Sequence, residues 1–480
     1  MTEPKHDARD HVRLEEPAGR WVLLATVMGS GIAMLDATVV NIALPALGKD
    51  LNAGFAGLQW TLNGYTLTLA SLILLGGSLG DRFGRRRIFM VGTAWFAIAS
   101  LLCAIAPNIG FLVAARALQG VGGALLTPGS LAIISSSFVR EDRPRAIGAW
   151  SGLAGIAGAV GPFLGGYLVQ GPGWRWIFLI NLPLAAVVLT ISQRHVPESL
   201  DPDASHHLDL LGAGLGAIGL GGVTYALIGA GTGWSGIVIV FGVLGLLALV
   251  GFVLNERRST HPMLPLGIFA SRQFSAANAV TFAVYAALSA IFFLLVVELQ
   301  VVAGMSPLLA GTALLPVTVL MLLLSSRGGQ LGQRIGPRLP MTIGPLLASA
   351  GVLLTLRIGP HASYLIDVLP GVVLLGLGLC LTVAPLTTTV LAAVESRHAG
   401  VASGVNNAVA RAAGLLAVAV LPVAAGISND DYRHPDAFDH GFQIAIVLCA
   451  GLLAAGGLIA AFTIRDDALD APDDTDGEPG

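Results

Sequence analysis

Asp36 and Arg116 are the residues from which chemistry is first to be expected, because each stands inside a long apolar run. A charged side chain in hydrocarbon costs roughly 2.5–3.5 kcal/mol on insertion scales, and such residues usually face a cavity or a partner and mark the path of an ion or substrate. Asp36 lies about ten residues from one end of its run and Arg116 about seven from the same side, roughly 15 and 10 Å at 1.5 Å per residue. The two can share a depth. A neighbouring guanidinium favours the ionised acid and burial favours the protonated one, so a shifting balance would let the pair take up and release a proton. The alternative is a static ion pair that fixes helix register.

Other polar residues join them as candidates. Asn41 follows Asp36 on the same run, and Arg411 with Asn407 interrupts a run near the C-terminus. Glu298, in LLVVELQVVAGMSP, stands near the end of another. It could bind a cation, offer a second proton site, or sit in headgroup water without a role. Asp367 reads as interfacial, and Asp209 as the N-cap of a following helix. His434 and His440 share a polar stretch with Asp430, Asp431, Asp436 and Asp439; this is read as a solvated loop. His206 and His207 are read the same way. No spacing of Cys or His suits a metal, and Cys103, Cys380 and Cys449 lie far apart in apolar runs.

The elements that must position these residues follow from composition. Of 480 residues, 54% are hydrophobic and only 11% charged, against about 25% charged in an ordinary soluble chain. A water-facing surface cannot be made from so few charges, and a helix needs about 20 mainly apolar residues to cross a bilayer. Apolar runs between Gly, Pro and charge breaks predict fourteen spans, at 21–46, 58–79, 87–106, 109–133, 146–169, 175–193, 208–230, 235–254, 275–302, 308–326, 340–358, 365–392, 399–425 and 442–464. The fold expected is all-α and integral to the membrane. What remains outside the spans is short loops and tails, too little for a soluble catalytic domain. The expected units are a tail at 1–20, a six-helix bundle at 21–193, two inserted helices at 208–254, a second six-helix bundle at 275–464, and an acidic disordered tail at 465–480.

Charge placement orients this arrangement. Of the 26 Lys and Arg, Lys49, Arg175, Arg357 and Arg433 fall on one side, Arg116 and Arg411 inside spans, and the remaining twenty on the side of both termini. Cytoplasmic loops collect Lys and Arg, so both termini are expected in the cytoplasm. The basic loops also repeat. GSLGDRFGRR from Gly77 to Arg86 returns as GQLGQRIGPR from Gly329 to Arg338, with six of ten positions alike. The offset, 77 to 329, is 252, and it also carries the first two spans close to the ninth and tenth. Parallel halves with a substrate site between them are a transporter architecture.

The motifs LDATVVNIALP (Leu35 to Pro45), GSLGDRFGRRR (Gly77 to Arg87), RALQGVGGALLTP (Arg116 to Pro128), GPFLGGYL (Gly161 to Leu168) and WRWIFLINLP (Trp174 to Pro183) together resemble the major facilitator superfamily, and within it the fourteen-span drug:proton antiporters. The likeness runs nearly end to end. It implies the major facilitator fold, two six-helix bundles plus two inserted helices. It further implies a proton-coupled exporter, with a small amphipathic substrate and protons as its partners in the lipid bilayer of a bacterial cytoplasmic membrane. No nucleic acid and no obligatory protein partner are expected, nor enzymatic activity. The resemblance places Asp36 and Arg116 about a central cavity, to which Asn41, Arg411 and Glu298 are added as candidates, although at Glu298 the chain departs from the family, which more often has an aromatic before LQ. It makes Gly77, Asp81, Arg82, Gly84, Arg85 and Arg86 a gating loop that latches the cytoplasmic ends of the halves, with Gly84 turning at positive φ. It makes Gly161, Pro162, Gly165 and Gly166 the antiporter motif, a small-residue face that seals span 5 against the eighth span of the twelve-span layout, which is span 10 here. Gly148, Gly152, Gly155 and Gly158 extend that close-packing pattern along the same span.

No cofactor is expected, energy coming from the proton gradient. GxxxxGK[ST] is absent, so the chain has no P-loop of its own for ATP. LGAGLGAIGLGG, from Leu211 to Gly222, mimics a dinucleotide fingerprint but opens no βαβ unit and reads as helix packing. A lipid-modifying enzyme would need convergent His, Asp or Glu near one face, which the spans do not offer.

Overall fold

A computed structural model of the chain describes residues 12–201, 209–259, 262–394, 399–428 and 430–466. The acidic tail beyond Asp466 and the pair His206 and His207 lie outside the described residues. Among the described residues, fourteen helices are long and apolar enough to cross a membrane. Spans 1 to 7 are Pro17–Asp50, Phe55–Phe83, Arg85–Ala104, Ile109–Ser137, Arg145–Gln170, Trp176–His195 and Leu210–Ala230. Spans 8 to 14 are Gly236–Arg258, Arg272–Val301, Pro307–Ile335, Arg338–Arg357, Tyr364–Ala392, Gly400–Ala424 and Pro435–Thr463. No strand is present among the described residues.

The fold is two six-helix bundles with two helices inserted between them. Spans 1 to 6 pack together, as do spans 9 to 14. Span 7 lies on both span 2 and span 13, and span 8 packs against span 7. Gly219 and Gly222, from the glycine-rich stretch that mimics a fingerprint, let span 7 meet the backbone of span 8 at Leu249 and Gly245. Asp209 caps span 7, accepting the Gly212 N–H at 2.7 Å.

Three departures from the expected elements each have a physical cause. Span 2 continues as helix to Phe83, so Gly77, Asp81 and Arg82 are helical rather than in a loop. Gly84, at φ +107°, alone makes the turn, and Arg85 and Arg86 already belong to span 3. Span 10 runs on to Ile335, since a helix does not end where its side chains leave hydrocarbon. Span 14 begins at Pro435, not 442. A proline with its missing N–H suits a first helical position, and an acid in the first turn, here Asp436, favours the positive end of the helix. Asp439 and His440 are therefore helical, not part of a loop.

The repeat extends to how each half is tied together. After span 6, Glu198 accepts the Arg86 and Arg87 N–H groups at 3.0 and 3.2 Å, capping the start of span 3. After span 14, Asp466 accepts the Arg338 N–H at 3.1 Å, capping span 11. Gly84 and Gly336, positions 84 and 336 and so 252 apart, both have positive φ, and a Cβ on either would collide with the capping carboxylate. Contacts of the corresponding glycines align the next pair of helices. Gly76 meets the Ala124 carbonyl of span 4, and Gly328 meets the Cys380 carbonyl of span 12.

Between the halves, the hydrogen bonds lie at the end remote from the termini. Gln59 donates to the Val418 carbonyl at 2.7 Å, and Gln300 to the Ile42 carbonyl at 3.0 Å. The Tyr432 hydroxyl donates to the Ala53 carbonyl, and Arg433 to Asn52 Oδ1 at 3.0 Å. Toward the termini, spans 2 and 13 stay in touch where Leu74 meets Gly404. Span 5 does not follow. Nothing stands within 4 Å of where a Cβ would sit on Gly148, Gly152, Gly155 or Gly158, so these four glycines do not mediate the close packing expected of them in this conformation. The halves are joined at the far end and part along span 5 at the terminal end.

Candidate functional site

Asp36 and Arg116 meet, as their shared depth allowed. Arg116 Nη1 lies 2.5 Å from Asp36 Oδ2, and both residues are 1% exposed. The expected cavity-facing position does not hold in this conformation, because the pair is enclosed within the N-terminal bundle. Burying two charges is expensive unless their remaining hydrogen-bonding capacity is met, and the surrounding spans meet it. On span 4, Gln119 stands three residues beyond Arg116 and so on the same helix face. It donates to Asp36 Oδ1 at 2.8 Å and accepts from Arg116 Nη1 at 2.5 Å. Asn181 of span 6 donates to Asp36 Oδ1 at 3.2 Å. Ser100 of span 3 accepts from both amides. Arg116 Nε donates to the Thr61 carbonyl of span 2 at 3.1 Å, and its guanidinium lies over the Tyr65 ring, 4.5 Å from the centroid. Five spans thus converge on one carboxylate and its cation.

This arrangement can lose the carboxylate charge without stranding the arginine, which keeps the Thr61 carbonyl, Gln119 and the Tyr65 face as partners. Asn181 Oδ1 is buried with no partner. A half-turn of that amide would offer an acceptor to a protonated Asp36 at the place where Nδ2 now donates.

Gln119, Asn181, Ser100 and Tyr65 were not singled out from the sequence. Gln119 and Asn181 lie within the quoted motifs RALQGVGGALLTP and WRWIFLINLP, and the three-residue step from Arg116 to Gln119 was the available signal. Ser100 and Tyr65 carry none, since a serine hydroxyl in an apolar helix commonly bonds its own backbone, as Ser100 does at the Phe96 carbonyl, and a tyrosine ring in a span reads as packing.

The remaining candidates are not drawn into this network. Asn41 is half-buried, its Nδ2 donating to the Ala37 carbonyl at 3.4 Å and its Oδ1 buried without a partner. Arg411 on span 13 is half-buried, and its charge acts on Tyr65 of span 2 and Tyr285 of span 9. It therefore stands where the two bundles face each other. Glu298 is fully buried, which removes the headgroup-water reading, and it lies near the far end of span 9.

Asp81 accepts from Arg85 Nε at 2.9 Å, and Arg86 donates to the Val196 carbonyl at 3.0 Å and lies 3.6 Å from Glu198. All of these partners belong to the N-terminal bundle. The far half of span 5 is a true close approach. A Cβ on Gly161 would overlap Thr38 of span 1, and one on Gly165 would come 3.1 Å from Val39. On Gly166 it would come 2.6 Å from Leu308 Cα and the Pro307 carbonyl of span 10, while Gly311 of span 10 abuts the Pro162 carbonyl. The motif thus brings together span 5 with its own bundle on one face and with the other half on the next.

Comparison with known proteins agrees with this architecture. Residues 26–207 and 208–418 match the model of the Major Facilitator Superfamily. The puromycin resistance protein pur8 of Streptomyces alboniger is 37% identical over 475 residues, covering 96% of this chain and 94% of that protein. The methylenomycin A resistance protein of Bacillus subtilis (strain 168) is 36% identical, covering 90% and 92%. The tetracenomycin C resistance and export protein of Streptomyces glaucescens is 35% identical, covering 84% and 75%. Among solved structures, an auto-inhibited POT family peptide transporter superposes with TM-score 0.69 at 17% identity, covering 93% and 98%. A bacterial homologue of the human lysosomal transporter Spinster, inward-facing and unoccupied, gives 0.63 at 16%, covering 93% and 97%; at these identities the likeness speaks for the fold. With its paired bundles, its repeated glycine turns and these relatives, the chain belongs to the Major Facilitator Superfamily as a fourteen-span member.

Proposed function

We propose that the chain is a proton-coupled exporter of small amphipathic compounds, with both termini in the cytoplasm of a bacterial cell. The resistance and export proteins that it resembles support the direction of transport, and the twenty-to-four distribution of basic residues supports the orientation. In that orientation the far end faces outward, so this conformation is sealed outside and parted toward the cytoplasm.

The observation that carries the coupling is the enclosed pair of Asp36 and Arg116, with Gln119, Asn181 and Ser100 around it. A carboxylate drives transport only if its proton affinity differs between conformations, and a ligand shifts a conformational equilibrium only by its differential affinity for the two states. Rocking of the bundles would hydrate or close this pocket, and Arg116 has the other acceptors it needs while Asp36 is neutral. Arg411, between Tyr65 and Tyr285, supplies a positive group that a carbonyl-rich or acidic part of a substrate would meet. The motif around Asp81 latches the terminal ends of the halves in the opposite state. Proteoliposomes with an imposed pH gradient test this reading. Asp36→Asn should bind substrate nearly as the parent does yet accumulate none against its gradient, and full gradient-driven accumulation by that variant would sink the assignment.

A further inference from the structure

Glu298 and Asp439 are 141 positions apart, 298 to 439, but lie side by side between spans 9 and 14, the Asp439 carboxyl within hydrogen-bonding reach of the Glu298 carboxyl. Glu298 is fully enclosed, and neither of its oxygens has an N–H or O–H donor. Asp439 is half-buried. Its Oδ2 accepts from Gln443 at 3.0 Å, while its Oδ1 is buried and has no donor. Three enclosed carboxyl oxygens therefore face a place with no hydrogen to share. Buried polar atoms in folded proteins are nearly always paired, and each exception asks for an explanation. Among the described residues, the charged group acting on Glu298 is Asp439. Among the described residues neither acid forms an ion pair, so Lys49 at the end of span 1, Arg411 on span 13 and His440 on span 14 stand outside ion-pairing distance of both; the other acids at these helix ends are Asp50 on span 1 and Asp436 on span 14.

We propose that Glu298 and Asp439 form a second proton-binding site, in which one proton is held between the two carboxyls while the far end is closed. Two carboxyls sharing a site do not both ionise readily, and a single proton supplies the donor that the three oxygens lack. Asp439 is the entry side, since it is partly exposed near the far end while Glu298 is fully enclosed. The site also borders the seal between the halves. Two residues beyond Glu298, Gln300 bonds the Ile42 carbonyl of span 1, so loss of the proton would set two like charges between spans 9 and 14 next to a bond that joins the bundles. This deepens the proton-driven reading given above, and it places a proton from the far side well away from Asp36.

Infrared spectroscopy of the full chain in lipid nanodiscs tests it without relying on transport. The Asp36→Asn protein is the parent, which removes that carboxyl from the spectrum. Near neutral pH the parent should show a protonated-carboxyl stretch that Glu298→Gln abolishes, and Asp439→Asn should change the pH midpoint at which it titrates. If Glu298→Gln is not monodisperse, Asp439→Asn carries the test. The proposal is overturned if the parent lacks the band near neutral pH, if the band survives Glu298→Gln, or if its midpoint is the same in Asp439→Asn. It is also overturned if sodium or calcium at constant pH displaces the band, which would make this a metal-cation site. Should Asp36→Asn still drive uphill transport, the coupling assignment fails while this measurement stands.

Discussion

The two bundles share a backbone plan but not a charge plan. At the offset of 252 given by the repeated glycine turns, Asp36 of span 1 corresponds to Leu288 of span 9, which is buried among apolar side chains. The glycine contacts relate span 4 to span 12 by 124 to 380, an offset of 256, so Arg116 corresponds to Val372, fully buried. The N-terminal half keeps an ion pair where the C-terminal half keeps hydrocarbon. The acids of the C-terminal half, Glu298 and Asp439, instead lie toward the far end. Duplication has preserved what carries load, which is the turns, caps and helix contacts. The charges have diverged, and the C-terminal half makes the corresponding helix contacts with an apolar pair at the same place.

Transplanting the apolar pair breaks this comparison most directly. Asp36→Leu with Arg116→Val should abolish gradient-driven transport, yet the protein should melt at or above the parent's temperature, because well-packed apolar groups often replace a buried ion pair at no loss. Arg116→Val alone should be destabilised by roughly 3–5 kcal/mol, since it leaves a buried charge unpaired. A double variant that still pumps would reduce the pair to a register device. A smaller but still large effect is expected at the join between the halves. Gly166→Val drives a side chain into the backbone of Leu308 and Pro307, and should lower the transport rate severely while surface expression persists; Gly152→Val, where nothing stands within 4 Å, should be far milder. Equal damage at both would mean that the glycines matter for insertion and not for the seal. The smallest effect is expected for Tyr432→Phe, which removes one hydrogen bond between the halves. Such a bond contributes about 1 kcal/mol net, so the far-closed population should fall roughly fivefold relative to the open one. Spin-label distances across the far end would register that change, and unaltered distances would leave the seal to apolar packing alone.

Much of this organisation was legible in the amino-acid sequence. Span positions follow from hydropathy and charge breaks because lipid forces backbone hydrogen bonds to close within each helix. The pairing of Asp36 with Arg116 follows from depth, since two charges in hydrocarbon have few other partners. The neutral members of the network were harder to see. Ser100 and Asn181 stand in helices where such residues commonly bond locally, and only the meeting of spans 3 and 6 with span 1 gives them a partner. Asp439 was hidden for another reason. The polar start of span 14 resembles a loop, so an acid one turn into a helix read as solvated, and its nearness to Glu298 depends on spans 9 and 14 packing together. The helical continuation of span 2 to Phe83 was likewise masked, since charged residues beyond the hydrocarbon end the hydropathy signal before they end the helix.

The carboxylate caps after spans 6 and 14 have a consequence for how such chains can be lengthened. Glu198 fastens the end of the first bundle back to the turn at Gly84, and Asp466 fastens the end of the second to the turn at Gly336. Each half is thereby a closed circuit, like a frame whose last strut is pinned to its second joint. The chain between the two frames is under no such constraint. Spans 7 and 8 are threaded there, span 7 resting on spans 2 and 13 and span 8 resting on span 7, so adding or deleting that pair opens neither circuit. The insertion therefore rides on both frames through span 7, and its own sequence is held only where Gly219 and Gly222 keep spans 7 and 8 together.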